Sequence, residues 1–418
     1  MNVLVTDGHQ RAALAITRSL GRRGMKVWVG EEQPGSLAAA SRHCTREVIY
    51  PSPYKDPVGF ERFLFQFIAR EPVHAVMVAS DVTTHIASRN ADKIRQYAAL
   101  TVPPFDAFES VTDKWSLLQR AVALGIPIPV THFVDGKAAL ATHMPRIDYP
   151  VVVKPTRSRI LTEKGWVSGS AQYAANEADL LRLYRDTDYL ASSPSLIQER
   201  IVGSGLGLFA LCDHGRLVAT FAHIRLRERP PSGGVSVLCE SVPFDPELQN
   251  HAIQLLEPLG WHGVAMLEYK QDLQTGQPVL MEVNGRFWGS LQLAIDAGLD
   301  FPYLTCQLAL DQPLNLPVPY TVGIKNRWAL GDLDHLIARL RHGRKDLPES
   351  APSRMGAVVD FVRAAAPGVR GEIFRRDDPG PATRELCQYT KTLLRSVRRR
   401  LRRPLARSSF AVLSRTER

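Results

Sequence analysis

Two carboxylates and one amide about two thirds of the way along the chain have the types and spacing of a site for a hard metal ion. Glu268 lies in the apolar stretch VAMLEY, and Glu282 and Asn284 lie in VLMEVN, with the turn-forming residues 272–278 between them. Strand alternation places Leu280, Glu282 and Asn284 on one face, and a hairpin adds Glu268 beside them. Such all-oxygen ligands suit Mg²⁺, with Mn²⁺ as a substitute.

The other interpretation of these residues is an ordinary hairpin with its polar side chains in water, where carboxylates usually lie. Both acids interrupt strongly apolar strands, however, and an unpaired buried charge costs several kcal/mol. A bound cation removes that cost. Arg286 follows Asn284 after one residue, at a position where a guanidinium group can bind a phosphate.

A second group of polar residues carries positive charge. His223, Arg225 and Arg227 fall on one face of a predicted strand, just before the residues PPSGG at 230–234. Three such side chains beside a flexible turn suggest an anionic ligand. The alternative is an exposed edge strand protected by its charges, which is common in sheets.

Two lysines occupy positions that a structural role explains poorly. Lys114 lies in the first turn of a predicted helix around Asp113–Ala123, where a positive charge opposes the helix dipole; the alternative is a solvated surface lysine. Lys154 ends the all-valine strand of YPVVVKP, so its ammonium group needs an anionic partner or a path to water. The basic, polar residues Thr156–Ser170 that follow either fold over phosphates or form a mobile surface loop.

The elements that must position these residues begin with a small α/β unit. Residues 1–105 alternate strands and helices, with predicted strands at Val3–Thr6, Lys26–Val29 and Val73–Ala79 and a helix at Arg11–Arg23. This pattern predicts a parallel, Rossmann-like sheet. No GxGxxG follows the first strand and no GxxxxGK[ST] occurs, so neither a dinucleotide site nor a P-loop is predicted.

Ligands of such sheets bind beyond the carboxyl ends of the strands. Asp7, Gly8 and Asp81 lie at those ends, as crevice-lining residues or as ordinary loop and capping residues. Further along the chain, the pattern predicts a strand at Ser195–Val202 and helices in residues 290–310 that pack behind the hairpin. The C-terminal part predicts further elements: a strand at Tyr320–Leu330 and helices at Asp332–Arg341 and near Met355–Ala365.

Composition limits the class of protein. The chain has 418 residues, enough for two or three domains, and its net charge of +10 is concentrated in residues 391–418, with ten basic residues and one acidic. That tail is either disordered or a basic amphipathic helix. Five scattered cysteines without CxxC spacing indicate a reducing compartment rather than disulfides or zinc. With no signal peptide and no apolar run of bilayer length, we expect a cytoplasmic protein, with the tail as a contact for an anionic membrane.

The order of these motifs resembles the ATP-grasp superfamily, in particular its carboxylate–amine ligase branch of ATP-dependent carboligases. A small α/β domain is followed by DK, YPVVVKP, QERI, MLEYK and LMEVNGRFWG, and the resemblance covers roughly residues 1–310. It implies an α/β fold, α+β in the C-terminal part, with a Rossmann-like pre-ATP-grasp domain before an ATP-grasp fold. The implied units are residues 1–105, 106–310 (a lid-bearing part 106–195 and a metal-binding part 196–310), a C-terminal extension 311–390 and the tail 391–418.

The resemblance also implies a role for each matching residue. The expected roles are phosphate contacts for Lys114 and Lys154; a hinge strand for Gln198, Glu199, Arg200 and Ile201, with backbone hydrogen bonds from Glu199 and Ile201 to adenine; Mg²⁺ ligation for Glu268, Glu282 and Asn284; and catalysis for Arg286, Arg225 and Arg227. Residues 156–170 become the flexible lid. Two features depart from the family pattern. After the hinge, GSGLG at 203–207 replaces the acid that usually binds the ribose, and the lid lacks a run of glycines.

The implied function is an ADP-forming, Mg²⁺- and ATP-dependent ligase. Phosphorylation of a carboxylate gives an acylphosphate, which an amine or a thiol attacks. Two alternatives remain on the same fold: a non-catalytic ATP-binding protein, and a kinase-like enzyme that releases a phosphorylated product. The expected partners are a small carboxylate and an amine, with no specific nucleic acid; an acidic polymer or membrane at the tail and a homodimer are compatible with the sequence.

Overall fold

The structure is a computed structural model that describes residues 1–402 except 164, 232, 315, 317–318 and 342–351. The described residues form four sheets, of five, four, seven and two strands, together with helices that cover them. The α/β class expected from the sequence is therefore confirmed.

The N-terminal sheet is parallel throughout, with strand order β3-β2-β1-β4-β5. Its elements are β1 (Asn2–Val5), α1 (Arg11–Arg22), β2 (Lys26–Glu31), β3 (Cys44–Ile49), α2 (Pro57–Arg70), β4 (Ala75–Met77), α3 (Asp81–Arg89), α4 (Ala91–Arg95) and β5 (Ala99–Leu100). Strand β1 is central and apolar because α1 packs on one face and α2 on the other. Helix α2 begins where Pro57 fixes its first turn and the Asp56 side chain accepts a hydrogen bond from the Gly59 amide.

A small antiparallel sheet follows, with strand order β10-β7-β11-β6. This region comprises α5 (Phe105–Thr112), α6 (Lys114–Ala123), β6 (Thr131–Val134), α7 (Gly136–His143), β7 (Val151–Pro155), β8 (Arg159–Thr162), β9 (Gly165–Ser168), β10 (Gln172–Ala174), α8 (Glu177–Asp186), α9 (Asp188–Ser192) and β11 (Ser195–Glu199). The polar loop Thr156–Ser170 is largely the two-stranded hairpin β8–β9. The predicted strand Ser195–Val202 is correct at its start but ends at Glu199.

The large sheet has the order β16-β15-β12-β13-β14-β17-β18 and is antiparallel except between its last two strands. Its first part comprises β12 (Gly203–Asp213), β13 (Arg216–Arg229), β14 (Val235–Val242), α10 (Pro246–Leu256), β15 (Gly263–Asp272), β16 (Pro278–Asn284), α11 (Leu291–Asp296) and α12 (Phe301–Ala309). Strand β12 is buried on both faces because its alternate residues belong to two different apolar clusters. Phe209 joins the cluster that contains α1, α11 and α12, and Leu208 joins the cluster that contains α5, α6 and α10.

The C-terminal extension completes this sheet. Its elements are β17 (Lys325–Arg327), α13 (Ala329–Arg341), α14 (Arg354–Arg363), β18 (Val369–Gly371) and α15 (Gly380–Arg402). The predicted strand Tyr320–Leu330 is thus reduced to three residues, whereas α13 and α14 confirm both predicted helices. The start of the basic tail is helical to Arg402, and residues 403–418 lie outside the described residues.

Charged contacts join this extension to the first helix. The Arg18 guanidinium lies 2.8 Å from Asp378, and both side chains are almost fully buried. Arg11 lies 2.6 Å from Glu372 in a similar buried pair. No helix within the described ranges is long and apolar enough to cross a membrane. The domain boundaries given above remain predictions.

Candidate active site

A cavity of about 220 Å³ lies between the small sheet and the large sheet. Charged side chains from both sheets and from α6 converge on it. The charged residues that line it are Lys114, Lys154, Glu199, Arg200, Arg225, Glu228, Glu268, Lys270 and Glu282. The sequence predicted most of these residues, and the fold brings them to one place from positions up to 168 residues apart.

Glu268 and Glu282 are directly opposite each other on the antiparallel strands β15 and β16. Two like charges in this arrangement repel, so each carboxylate needs a counterion. Arg225 provides one with a two-pronged contact to Glu268, at 2.9 and 2.7 Å. The Lys114 ammonium provides the other, 3.0 Å from Glu282.

A β-bulge in β16 alters the predicted side-chain pattern. The pairing register shifts so that Glu282 faces Glu268 but Leu280 faces Tyr269. Leu280 is therefore fully buried in the apolar cluster with Tyr269, and Met281 lines the cavity instead. The prediction that Leu280 shares a face with Glu282 is wrong because simple alternation fails at a bulge.

The two predicted lysines approach the cavity from different elements. Lys114 opens α6 after the N-cap Asp113, and its Nζ donates to Ser158 Oγ at 2.7 Å. Its charge lowers the pKa of Glu282 to about 2. Lys154 follows the three buried valines of β7, and burial lowers the pKa of its ammonium to about 8 although Glu282 acts in the opposite direction.

The predicted cationic face of β13 is wrong in two respects. His223 is fully buried against Phe209, and burial lowers its pKa well below the usual value. Beyond Arg225 the register of β13 shifts twice. Arg227 then pairs with Asp332 at 3.1 Å, away from the cavity, so the predicted catalytic role of Arg227 has no support in this geometry.

The same register shifts bring an unpredicted residue into the cavity. Glu228 lies 3.0 Å from Arg225 and lines the cavity in place of Arg227. Burial raises the pKa of Glu228, opposed by Arg225. Strand registers depend on partner strands that a single sequence does not specify, so no signal in β13 alone identifies Glu228.

Of the four predicted adenine-binding residues in and after the hinge strand β11, three line the cavity and one does not. Gln198 is buried and donates to Thr131 Oγ1 at 3.0 Å, so its side chain does not line the cavity. Glu199, Arg200 and Ile201 do line it. The Glu199 amide already donates to the carbonyl of Val130 at 3.0 Å, and the Glu199 carboxylate accepts from the Val130 amide. Glu199 is therefore not a free backbone donor for adenine.

Arg286 connects the metal-type cluster, which consists of Glu268, Glu282 and Asn284, to the N-terminal sheet. Its Nε donates to Asp81 at 3.0 Å, and its Nη2 is 3.4 Å from the Asn284 side-chain oxygen. Asp81 is the first residue of α3, at the carboxyl end of the parallel strands. Asp7, by contrast, is buried and bonded to Thr6 and Thr83, which makes it a structural residue rather than a ligand contact.

A second cavity, of about 710 Å³, adjoins Arg286 and Asp81. It lies between the carboxyl ends of the parallel strands and the C-terminal helix α15. Its cationic lining residues are Arg11, Arg159, Arg286, Lys391 and Arg395. The site therefore has two compartments, one beside Glu268 and Glu282 and one beside α15.

The hairpin β8–β9 covers the region between these compartments and contacts Tyr54 and His85, which belong to the loops and helices around the N-terminal sheet. The Trp166 amide donates to the Tyr54 carbonyl at 2.8 Å, and the Trp166 ring packs edge-on against His85 at 4.9 Å. Arg157, at the base of the hairpin, lies 2.6 Å from Glu109. These contacts hold the hairpin over a small cavity that Arg159 and Trp166 line together with Glu282 and Asn284.

Sequence reasoning missed two further residues of the site. Ser158 binds Lys114, but serines in a polar loop carry no distinguishing signal. Lys270 lines the cavity and donates to the Ile201 carbonyl at 3.2 Å. It lies two residues after Glu268 on the same strand, so alternation applied one step further predicts it.

The residues present fit a divalent cation of the magnesium type. Glu268 and Glu282 are adjacent across the strands, and Asn284, across from Met266, lies within 3.4 Å of Glu282. Each carboxylate oxygen has a second lone pair besides the one that Arg225 or Lys114 engages. Oxygen donors alone, with no nitrogen or sulfur ligand among them, suit Mg²⁺ or Mn²⁺.

Comparison with known proteins gives one family match. Residues 192–330 match a family model described as ATP-grasp in the biosynthetic pathway with Ter operon. The matched segment contains β12–β16 and therefore Arg225, Glu268 and Glu282. No curated protein matches the chain by sequence.

Solved structures resemble the chain over most of its length. The L-amino acid ligase from Bacillus licheniformis is 21% identical with a TM-score of 0.56, over 75% of each chain. N5-carboxyaminoimidazole ribonucleotide synthetase from Thermus thermophilus is 18% identical with a TM-score of 0.56, over 76% of this chain and 81% of that one. The biotin carboxylase domain of Hydrogenobacter thermophilus 2-oxoglutarate carboxylase, in complex with MgADP and bicarbonate, is 14% identical with a TM-score of 0.61, over 78% and 73%. These likenesses establish the fold.

Proposed function

The chain has an ATP-grasp fold, as its motif order predicted, and we propose that it is an ADP-forming ligase that joins a carboxylate to an amine through an acylphosphate. The observation that carries this proposal is the convergence of Lys114, Lys154 and Arg225 on the opposed pair Glu268 and Glu282. Cations that surround paired acids suit the triphosphate of Mg-ATP, which carries negative charge and brings a divalent metal.

The lysines are proposed to bind the phosphates. Lys114 and Lys154 reach the cavity from α6 and β7, on the side of the small sheet. Both already contact or face Glu282, so a polyphosphate chelated through Mg²⁺ would lie between them and the acids. Arg200 and Ile201 follow the hinge strand and line the same cavity, which suits a place for the adenine base.

Glu268, Glu282 and Asn284 are proposed to hold the metal. When bound, Mg²⁺ neutralises charge on the phosphates and orients them. The role of this chain is to keep the two carboxylates opposed and Glu282 ionised, which Lys114 supports by lowering the pKa of Glu282. Arg225 fixes the orientation of Glu268 through both of its carboxylate oxygens.

The cavity beside α15 is proposed to bind the carboxylate substrate. Its cationic lining, including Arg286 and Arg11, suits an anion, and Arg286 stands where this cavity meets the metal-type cluster. A carboxylate bound there faces the terminal phosphate. An amino acid or a small peptide has the required carboxylate, and one similar structure is an L-amino acid ligase.

The proposed chemistry needs charge neutralisation and positioning more than a protein nucleophile. A carboxylate oxygen attacks the terminal phosphorus and the bond to ADP breaks. The amine then attacks the acyl carbon, and phosphate leaves with the bonding electrons. Arg286 and Arg225 stabilise the negative charge that develops on the transferred group, and the β8–β9 hairpin excludes the water that would hydrolyse the acylphosphate.

Nucleotide product analysis tests the proposal. The protein is incubated with Mg-ATP and with pools of amino acids and amines, and ATP, ADP and AMP are separated. ADP formed only when a carboxylate and an amine are both present supports ligation. ADP formed at the same rate without amine, with a phosphorylated product released, contradicts it in favour of a kinase-like enzyme, and AMP contradicts the acylphosphate route.

A further inference from the structure

A second cluster of ligand-type side chains lies far from the proposed active site. Asp213 ends β12, His214 is the first residue of the two-residue turn to β13, and His262 precedes β15. One ligand atom from each lies within 4.8 Å of the others. Because β15 rises about 3.3 Å per residue, its start at Gly263 is roughly 16 Å from Glu268. The cluster is therefore separate from the paired glutamates.

The ligand atoms lie close enough together to converge on one metal ion. Asp213 Oδ1 is 2.8 Å from His214 Nδ1 and 3.6 Å from His262 Nδ1. Ligand bonds of about 2.1 Å in tetrahedral zinc geometry separate neighbouring ligand atoms by about 3.4 Å. The distance from Asp213 to His262 is already near that value, whereas a bound ion would replace the 2.8 Å hydrogen bond between Asp213 and His214.

The buried position of His262 is not explained by hydrogen bonds of its ring. It is 7% exposed, and its Nδ1 has no hydrogen-bond partner although it is directed toward Asp213. A buried ring nitrogen without a partner is costly.

The surroundings of the cluster complete the features of a metal site. Arg216 lies 3.4 Å from the other oxygen of Asp213, which leaves Oδ1 for the histidines. His214 has a left-handed backbone with φ of 47°, a position that Asn or Gly usually fills in a two-residue hairpin turn. The three residues line a cavity of about 870 Å³ together with Arg95 and Arg216.

We propose that Asp213, His214 and His262 bind a divalent transition-metal ion of the zinc type. Two imidazoles and a carboxylate suit such an ion rather than Mg²⁺. Three protein ligands leave a coordination position open toward the cavity, where Arg95 and Arg216 favour an anionic ligand or a water molecule. The ion would link the β12–β13 turn to the start of β15, where a side-chain carbon added at Gly263 would meet Thr101.

Cobalt spectroscopy on the full chain tests this proposal. The protein is stripped with a chelator, magnesium is added in excess to occupy Glu268 and Glu282, and CoCl₂ is titrated. We expect one equivalent to bind with the visible bands of a four-coordinate nitrogen- and oxygen-ligated Co²⁺ ion, and ZnCl₂ to displace it. Absence of these bands, or failure of zinc to displace the ion, overturns the proposal.

Variants locate the ion. His214→Asn suits the left-handed turn, and the His214 side chain is 78% exposed, so this variant folds. We expect it to weaken Co²⁺ binding at least tenfold and to remove the rise in Tm that ZnCl₂ gives the unaltered protein. His74→Asn, an exposed histidine elsewhere, and Glu282→Gln keep both effects. Binding that survives in His214→Asn but is lost in Glu282→Gln places the ion at the other site and overturns the proposal.

Discussion

Glu268 and Glu282 face each other directly across two antiparallel strands, and each has a cation as its partner. Such a pair is unfavourable unless cations neutralise it. Arg225 and Lys114 provide this neutralisation within the chain, and the metal of Mg-ATP would add to it. The first prediction follows from this pair.

Glu282→Gln removes one charge from the pair and one anionic ligand from the proposed metal site. We expect kcat to fall at least about 100-fold, with a higher Mg²⁺ concentration needed for half-maximal rate, because the amide binds Mg²⁺ more weakly than the carboxylate does. Steady-state kinetics across a range of MgCl₂ measures both effects. Glu240→Gln is the matched control, since Glu240 is a half-buried strand glutamate beside Lys325; equal losses in the two variants would contradict the assignment.

The second prediction concerns pH. Burial lowers the pKa of Lys154 to about 8, and only its protonated form attracts phosphate. Above pH 8 the free protein must take up a proton in order to bind ATP, so apparent ATP affinity falls as pH rises, by up to about tenfold per pH unit. Below pH 8 this lysine contributes no pH dependence.

Lys154→Arg separates this effect from other titrations. Arginine stays charged throughout the range, so the variant binds ATP with an affinity that does not fall between about pH 8 and 9.5. Isothermal titration with Mg-ATP at several pH values measures the slope. The same slope in the variant as in the unaltered protein would assign the pH dependence to another group.

The third prediction concerns the hairpin that covers the site. Trp166→Ala removes the ring that packs against His85, so the observed position of the hairpin loses stability and KM for ATP rises by about tenfold. Cleavage of the hairpin by a protease should also become faster. Val167→Ala changes the neighbouring, exposed residue of β9 and should leave both measurements unchanged; a KM unaffected by Trp166→Ala would show that closure does not depend on this contact.

The fourth prediction tests the link between Arg286 and the N-terminal domain. Asp81→Asn removes the charge that fixes Arg286 at 3.0 Å, while Arg286 remains present. We expect kcat to fall about tenfold with a smaller change in KM for ATP, because Arg286 is proposed to act on the transferred group. Asp92→Asn, which alters a fully exposed carboxylate, is the control. A change confined to Tm in Asp81→Asn would reduce the contact to a structural one.

The fifth prediction concerns stability. Asp378→Ala leaves Arg18 buried without its ion-pair partner, which should lower the free energy of unfolding by about 3 kcal/mol. Asp377→Ala breaks an exposed pair with Arg22 at 2.7 Å and should cost less than about 1 kcal/mol. Urea denaturation of the two variants gives the comparison, and similar losses would contradict the role assigned to the buried pair.

The sequence was sufficient to predict those site residues whose side-chain position is determined by a single strand or helix. Lys154 follows from the end of a buried strand, Lys114 from a helix start, and Glu282 from a polar residue among apolar ones. The order of the motifs supplied the fold. The positions of the three side chains are local properties that one chain shows, whereas the fold came from the resemblance of the motif order to a known family.

The sequence failed where position depends on a partner strand. Register shifts in β13 and β16 change which side chains face the site. Arg227 and Leu280 lie on the face opposite to the one that alternation gives, and Glu228 enters the site unexpectedly. A bulge is set by hydrogen bonding between strands, which no local pattern encodes. Gln198 lies on a correctly predicted strand, but its side chain turns toward Thr131.

The hydrogen bonds of Arg18 determine how late in synthesis the packing of helix α1 can be completed. Its guanidinium donates to the carbonyls of Glu372 and Ile373 and to both the side chain and the carbonyl of Asp378. A ribosome adds these acceptors more than 350 residues after Arg18. While the N-terminal sheet is folding during synthesis, this arginine has only water as its partner. Helix α1 therefore reaches its final packing only after residue 378 has left the ribosome, and a nascent chain that stalls earlier exposes the face of α1 to chaperones.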